Sequence, residues 1–487
     1  MNSLLLTDGY KVGHHLQYPK GTNLVYSNFT PRSNKYAPNG CDSVVSFGQQ
    51  MVMKIIHESF EKNFFSRQKE EVCGEMKKEL SMYLNTDYDV SHFEALHELG
   101  YLPINVRSIT EGELVPIKIP VLTIHNTKSE FYWLTNYLET IISNLLWKPM
   151  TSATIAHQYR KVLSNWQQKT DKDNAWFIDW QGHDFSMRGL DSVEASMSSG
   201  LGHLTSFSGS DSLPAIHAAR KYYGEDGFVA GSVNATEHSV MCAGTKDDEL
   251  GTFRRLMKTF PTGILSIVSD TWDLWRVCTE YLPVLKKEIL ARDGKIVIRP
   301  DSGDPVDILC GQHDSKWTRS IQDIPKQKGV IELLWDVFGG TINEQGYKVL
   351  DPHIGAIYGD SITIDRADEI CRRLESKGFA STNVVLGIGS FTYQYNTRDT
   401  FGFAMKATYV EVDGEAREIF KNPVTDDGTK KSATGLLKVI KNDDGEFMLN
   451  DRSNWVECSQ GELKTIYING EFHNHVTLSD VKKRLNG

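Results

Sequence analysis

The sequence predicts an α/β protein whose main body is a parallel sheet covered by helices on both faces. Three observations carry that expectation. From about residue 150 to 390, short apolar runs alternate with stretches of helical period. Five of the runs stop at polar, chemically usable residues: Phe177-Ile178 before His183-Asp184-Phe185, Ile264 to Val268 before Ser269-Asp270, Ile296 to Ile298 before Arg299-Pro300-Asp301-Ser302-Gly303, Ile354 to Tyr358 before Gly359-Asp360, and Val384 to Leu386 before Gly387-Ile388-Gly389-Ser390. The flanks have another rhythm, mixed α and β over 24–147 and β after 390. Alternating strands and helices fit either an open doubly wound sheet or a barrel; reactive residues at many strand ends, rather than at one switch point, favour the barrel.

In chain order, Gln49 to Phe60 and Glu130 to Trp147 carry apolar residues at three and four spacing and read as helices docked on one face. Between them Ile104 to Thr123 alternates, with Glu111-Gly112 and Pro116 as punctuation, and reads as a hairpin. Ser212 to Tyr223 reads as a helix closed by Gly224, Asp247 to Phe260 as one stopped before Pro261, and Thr363 to Lys377 as one capped by Gly378. The helix after Asp270 should restart at Pro283, because proline suits a first turn and not a helix interior. Phe401, Phe403, Met405, Ala407 and Tyr409 alternate as in a strand. Asp413-Gly414, Asp444-Gly445 and Asn469-Gly470 mark hairpins, and Ser479 should cap a short terminal helix.

A chain of 487 residues is too long for one core, so two domains are expected. With 53 basic against 63 acidic residues the net charge is −10, which excludes a general attraction to nucleic acid or an anionic membrane. An anionic substrate must therefore be held by local cations. Seven cysteines, odd in number and without a Cys-x-x-Cys pair, argue for reduced thiols and a cytoplasmic setting, and against structural zinc. The N-terminus lacks the basic lead and apolar length of a signal peptide, and no apolar run approaches the ~18 residues of a membrane span.

The strand ends carry the chemistry. Arg299 offers a planar fork for phosphate oxygens, and Asp301 an acceptor for ribose hydroxyls or magnesium-bound water. Gly359-Asp360-Ser361 and Gly387-Ile388-Gly389-Ser390 are turns whose backbone amides could cradle a phosphate. The second lacks the third glycine of a dinucleotide fingerprint, and no P-loop is present. His238, between Glu237 and Ser239, fits no Ser-His-Asp, Cys-His or His-x-x-x-His arrangement.

These residues sit in a longer series of motifs: Thr7-Asp8-Gly9-Tyr10-Lys11-Val12, Tyr132-Trp133-Leu134-Thr135-Asn136, His183-Asp184-Phe185 with Arg188-Gly189, Phe207-Ser-Gly-Ser-Asp211, Glu237-His238-Ser239, Val268-Ser269-Asp270, Ile298-Arg-Pro-Asp-Ser-Gly303, Gly359-Asp360, Gln394 with Thr397-Arg398-Asp399, and Lys421-Asn-Pro-Val424. Through them the chain resembles the nicotinamide phosphoribosyltransferases, type II phosphoribosyltransferases, essentially end to end. The resemblance implies an irregular α/β barrel over 150–390, joined to an α+β domain built from both chain ends, 1–149 and 391–487. It also implies a homodimer with shared active sites, in the cytoplasm, without nucleic-acid or membrane partners. The reaction it implies passes phosphoribose from phosphoribosyl pyrophosphate to nicotinamide in NAD salvage, giving nicotinamide mononucleotide and pyrophosphate, with Mg2+ and with ATP as an activating co-substrate; the alternatives are a nicotinate phosphoribosyltransferase and, less favoured, a non-catalytic ligand-binding relative of the same fold.

The resemblance also assigns roles. Phe185, with Tyr10 of the partner subunit, would sandwich the pyridine ring, and Asp211 would accept from the carboxamide NH2 and repel nicotinate. Asp8 would bind substrate beside Tyr10. Arg188, Arg299 and His238 would face pyrophosphate, and Asp301 the ribose and, with Asp270, the metal. Gly359, Asp360, Gly389 and Ser390 would hold the ribose phosphate, with Arg398, Lys406 and Lys421 reaching across the dimer. His238, Asp270 and Asp301 are the catalytic candidates, the histidine phosphorylated by ATP and oriented by Asp270. Arg398 and Lys406, an even number of positions apart, could share a strand face. Ser390 and Phe391 stand where the family has glycines, Ser186-Met187 where it has Gly-Tyr, and Ala404 where a serine is common.

Overall fold

The computed structural model describes residues 1–312, 324–359, 361–420 and 433–487. The chain folds into two compact units. One comprises Met1–Thr154, Ala218–Asp226 and Asn396–Gly487, the other Ile155–His217 and Gly227–Tyr395. Sequence patterning put the divisions at 149 and 390. The chain passes from the first unit to the second inside one helix, Tyr132–Thr170, which runs on through Pro149.

The second unit is the α/β body. Seven parallel strands lie in the order Gly209–Ser210, Gly182–Asp184, Val384–Ile388, Ile354–Tyr358, Ile296–Arg299, Leu265–Val268 and Asn234–Ala235. A parallel bridge between Gly209 and Gly231 joins the two edges, with the Ser210 N–H donating to the Gly231 carbonyl at 3.1 Å. The result is a small irregular barrel. Its strands obey the period-two rule: Ile296 and Ile298 are fully buried among helix-borne side chains, whereas Val297 and Arg299 line an internal cavity. Helices Val193–Leu204, Glu249–Thr259 and Ile364–Ser376 follow strands in the manner the alternating pattern requires. Ile178, read as strand, lies in a helical turn, Ile178–Gln181, and the strand begins only at Gly182.

Pro283 falls one residue into Leu282–Leu290, but helical structure does not start there. It begins at Leu274, where the Asp273 carboxylate caps the Trp275 and Arg276 N–H groups, and a wide π-helical stretch, Val277–Tyr281, carries the chain into the proline. The wider turn accommodates a residue with no N–H to give.

The first unit is antiparallel and drawn from both chain ends. Its seven strands run in the order Glu415–Glu418, Ala404–Val412, Thr22–Thr30, Leu122–Asn126, Ile104–Ser108, Lys464–Ile468 and Glu471–Phe472. The expected hairpin over 104–123 has a detour: Ile104–Ser108 pairs with Leu122–Asn126, while Leu114–Pro116 between them pairs with Ser43–Val45. The Asp413-Gly414 and Asn469-Gly470 turns form as read, all four residues with positive φ, as two-residue hairpins require. The terminal helix Leu478–Asn486 is capped by Thr477, not Ser479, in a reciprocal box with Asp480. Arg398 lies in a short turn, Arg398–Thr400, before the strand Ala404–Val412 that carries Lys406, so the two share no strand face. Among the described residues no helix is long and apolar enough to cross a membrane.

Candidate active site

The strand ends of the second unit converge. The Asp270 carboxylate follows Leu265–Val268 and clasps the next strand end through one oxygen: Oδ2 accepts the Asp301 N–H at 2.9 Å, the Ser302 N–H at 2.8 Å and the Ser302 hydroxyl. Its other oxygen, Oδ1, is buried with no hydrogen-bond partner among the described residues. Asp301, so positioned, receives the Arg299 guanidinium in a two-point pair at 3.2 and 3.0 Å. Such a fork is rigid and charge-assisted. Gly359 closes the next strand end against this pair, and a Cβ there would overlap Asp301 Oδ1. The strand end therefore has room for backbone only.

His238 begins a helical turn, His238–Ala243, and is half exposed over these acids. Its Nε2 lies 3.9 Å from both Asp270 Oδ1 and Asp301 Oδ2, too far for a hydrogen bond. The ring is held instead through Nδ1, 3.1 Å from the Thr271 hydroxyl.

On the other side of Arg299 is an aromatic wall. The guanidinium sits 5.5 Å from the Phe185 ring centroid, within cation–π range, and His183 packs on Phe185 at 4.6 Å. His183 Nε2 is 2.9 Å from Asp211 Oδ1, and the Ser232 hydroxyl donates to the same oxygen. Burial pushes the Asp211 carboxyl up, but the hydrogen bonds from His183 and Ser232, aided by the Arg299 charge, outweigh it and hold Asp211 below the usual carboxylate range. These side chains border a cavity of about 510 Å³ inside the barrel, walled further by Trp180, Phe228, Val297 and Lys295, whose amine is lowered in pKa by burial.

The structure thus brings together His238, Asp270, Arg299, Asp301 and Gly359, and links them through Arg299 to Phe185 and Asp211. Gly389 and Ser390 follow the strand Val384–Ile388, with Ser390 packed on Gly189, next to the exposed Arg188. Asp8, Tyr10, Arg398 and Lys406 belong to the other unit. There the Thr140 hydroxyl donates to Asp8 at 2.7 Å, Tyr10 is 68% exposed, and Lys406 lies opposite Asn28 in the sheet. Asp360 and Lys421 lie outside the described residues. Sequence reading gave no role to His183, Ser232, Thr271 or Ser302. A signal existed for His183: it stands two positions from Phe185, and so faces the same side of the strand end.

An irregular parallel barrel with an arginine–aspartate pair and a histidine at its strand ends has the chemistry to bind a phosphorylated sugar. Comparison with known proteins narrows the class. The profile of the nicotinate phosphoribosyltransferase (NAPRTase) family matches residues 180–472, and that of the nicotinamide phosphoribosyltransferase N-terminal domain matches residues 2–105. The chain is 49% identical, over its whole length and 97% of the relative, to the nicotinamide phosphoribosyltransferase of Acinetobacter baylyi. It is 34% identical to that of Mycoplasma pneumoniae over 89% of this chain and 95% of the relative, and 32% identical to that of Xanthomonas campestris over 99% and 97%. In fold it is similar to human nicotinic acid phosphoribosyltransferase (TM-score 0.57, 16% identity, 98% of this chain and 92% of that one) and to Pyrococcus furiosus nicotinate-nucleotide pyrophosphorylase (TM-score 0.55, 14% identity, 99% and 94%). The chain belongs to the nicotinate phosphoribosyltransferase family and, within it, to the nicotinamide phosphoribosyltransferases; it is a pentosyltransferase.

Proposed function

We propose that the protein transfers phosphoribose from phosphoribosyl pyrophosphate to the pyridine nitrogen of nicotinamide, releasing nicotinamide mononucleotide and pyrophosphate for NAD salvage. One observation carries the choice of base: Asp211 stands as a carboxylate at the cavity wall beside Phe185, with Oδ1 taken by His183 and Ser232. Oδ2 is then the acceptor for a carboxamide NH2, and the same charge opposes the carboxylate of nicotinate. Phe185 offers its ring for offset stacking with the pyridine. Arg299 compensates charge on the pyrophosphate side, and Asp301 accepts from ribose hydroxyls; both are held in advance by their mutual fork and by Asp270.

Mg2+ fits this chemistry. The buried, unpartnered Asp270 Oδ1 faces the same side as Asp301, and Mg2+ is commonly bound by one or two carboxylates together with substrate phosphates. Among the described residues no group of three or more His, Cys, Asp or Glu side chains could hold a metal by itself. When bound between Asp270 and Asp301, the ion would neutralise charge on the departing pyrophosphate. His238 serves as the phosphoryl acceptor from ATP. Thr271 fixes the ring through Nδ1 and leaves Nε2 toward the acids. In this reading two copies form a dimer, Asp8, Tyr10, Arg398, Lys406 and Lys421 completing a neighbouring site together with Asp360, Gly389, Ser390 and Arg188. The cytoplasm suits its seven cysteines, none of which is in a disulfide among the described residues.

Purified protein supplied with phosphoribosyl pyrophosphate, Mg2+ and either pyridine should form nicotinamide mononucleotide in preference to the nicotinate product. A preference for nicotinate overturns the choice of base. Labelled ATP should leave an acid-labile label that His238→Ala removes, and an unlabelled wild type during turnover overturns the phosphohistidine.

A further inference from the structure

We infer that His183, seconded by Ser232, is the positioning residue that decides between a carboxamide and a carboxylate on the pyridine ring, by holding Asp211 with one oxygen occupied and one oxygen free. The inference rests on the base specificity proposed above and adds to it a device. Asp211 alone does not specify an amide. A carboxyl group against apolar and aromatic walls can take up a proton, and a protonated Asp211 would donate a hydrogen bond to nicotinate as readily as an ionised one accepts from nicotinamide. What prevents this is local. His183 Nε2 and the Ser232 hydroxyl both reach Asp211 Oδ1, and the Arg299 charge acts on the same carboxylate.

Two donors on Oδ1 have two consequences. They favour the ionised form, and they fix the carboxylate plane so that Oδ2, which receives no donor among the described residues, is presented to the substrate. Since an ionised Asp211 has no proton to give, the hydrogen bond requires His183 to carry its proton on Nε2. Gly209 supports this placement from behind: a side chain there would strike His183 Nδ1, so backbone alone can pass. The tilted packing of His183 on Phe185, 4.6 Å between ring centroids, couples the same imidazole to the ring that receives the pyridine. Orientation of the amide and of the aromatic plane thus depend on one side chain. Ser232 approaches from the segment bridged to Gly209 and is exposed, so it can be altered without disturbing the core.

The test measures kcat/KM for nicotinamide and for nicotinate between pH 5.5 and pH 8.5, at saturating phosphoribosyl pyrophosphate and Mg2+, in the wild type and in His183→Ala, His183→Gln and Ser232→Ala. The nicotinamide-to-nicotinate ratio should fall by about tenfold or more in His183→Ala, and by a smaller factor in Ser232→Ala, because each loses a hydrogen bond to a charged group. The acid limb of the nicotinamide profile should move to higher pH as Asp211 becomes easier to protonate. His183→Gln, which keeps a donor within reach of Oδ1 but cannot titrate, should recover most of the ratio. If His183→Ala lowers both substrates by one common factor, with the ratio and the acid limb unmoved, the histidine only supports the fold and the inference is wrong. An unchanged ratio in Ser232→Ala together with full loss in His183→Gln overturns it equally. Should His183→Ala fail to fold, Ser232→Ala and His183→Gln decide the matter. A wild type that prefers nicotinate overturns the underlying reading, and this one with it.

Discussion

Gly359 has no side chain, and none would fit. A methyl group there would overlap Asp301 Oδ1 and come within 3.1 Å of Arg299 Nε, so Gly359→Ala should split the arginine–aspartate pair. We expect at least a roughly tenfold loss of kcat/KM in steady-state assays, with little change in Tm, because the pair lies at the site and not in the core. Asp211→Asn exchanges the acceptor for an amide that can also donate. Nicotinamide use should fall by about ten- to a hundredfold while nicotinate use falls less, as measured by competition between the two pyridines. At this scale the sequence was readable wherever a residue follows an apolar run, as Arg299, Asp301 and Asp270 do. It was silent where partners are distant: Asp211 meets His183 across 28 positions, and Thr271 rather than Asp270 holds the His238 ring.

Helices and strands obey local chemistry until packing overrides it. Thr477 rather than Ser479 caps the last helix, because only Thr477 has extended backbone with its hydroxyl aimed at the Asp480 N–H. Thr477→Ala should cost about 1 kcal/mol in thermal unfolding, and Ser479→Ala markedly less. The helix Tyr132–Thr170 continues through Pro149, since burial of residues such as Ile142, Leu146, Met150 and Ala153 outweighs one lost backbone hydrogen bond. Glu249, at the first turn of Glu249–Thr259, should be favoured by the helix dipole, yet burial pushes its carboxyl up to about 7. A raised pKa means the folded state holds the proton more tightly. Its penalty is absent below about pH 4.5, the unfolded value, and grows as pH rises toward 7. Glu249→Gln should therefore match the wild type in stability near pH 4.5 and exceed it by roughly 2 kcal/mol at pH 8, in denaturant titrations at the two pH values.

Across the molecule, acid sensitivity is distributed unevenly. His92, with both ring nitrogens buried and without a hydrogen-bond partner among the described residues, is stacked on His15 at 4.0 Å and packed on Phe93 and Trp133, and burial lowers its pKa to about 3. His125, also in the antiparallel unit, is lowered to about 4 by burial. Depressed histidines contribute stability that is complete above about pH 6.5 and is lost as pH falls, because the unfolded chain binds the proton first. Buried Glu111 and partly exposed Glu139, both with raised carboxyl pKa, titrate in the opposite sense, so a single-site comparison isolates the effect. His92→Phe should lose roughly 2 kcal/mol less than the wild type between pH 7 and pH 5, read by thermal melts at each pH. The sequence by itself determined the class of fold, the strand ends that carry Arg299, Asp301 and Asp270, and the hairpins at 413 and 469, because period, strand length and turn chemistry are local properties of the chain. Only the tertiary structure decided that Gly209 and Gly231 join the barrel edges, that Asp270 clasps the loop after Arg299, and that His183 and Ser232 take one oxygen of Asp211 and leave the other. Those contacts join residues far apart in the chain, where no local preference acts and the close packing of neighbouring strand ends sets the distances.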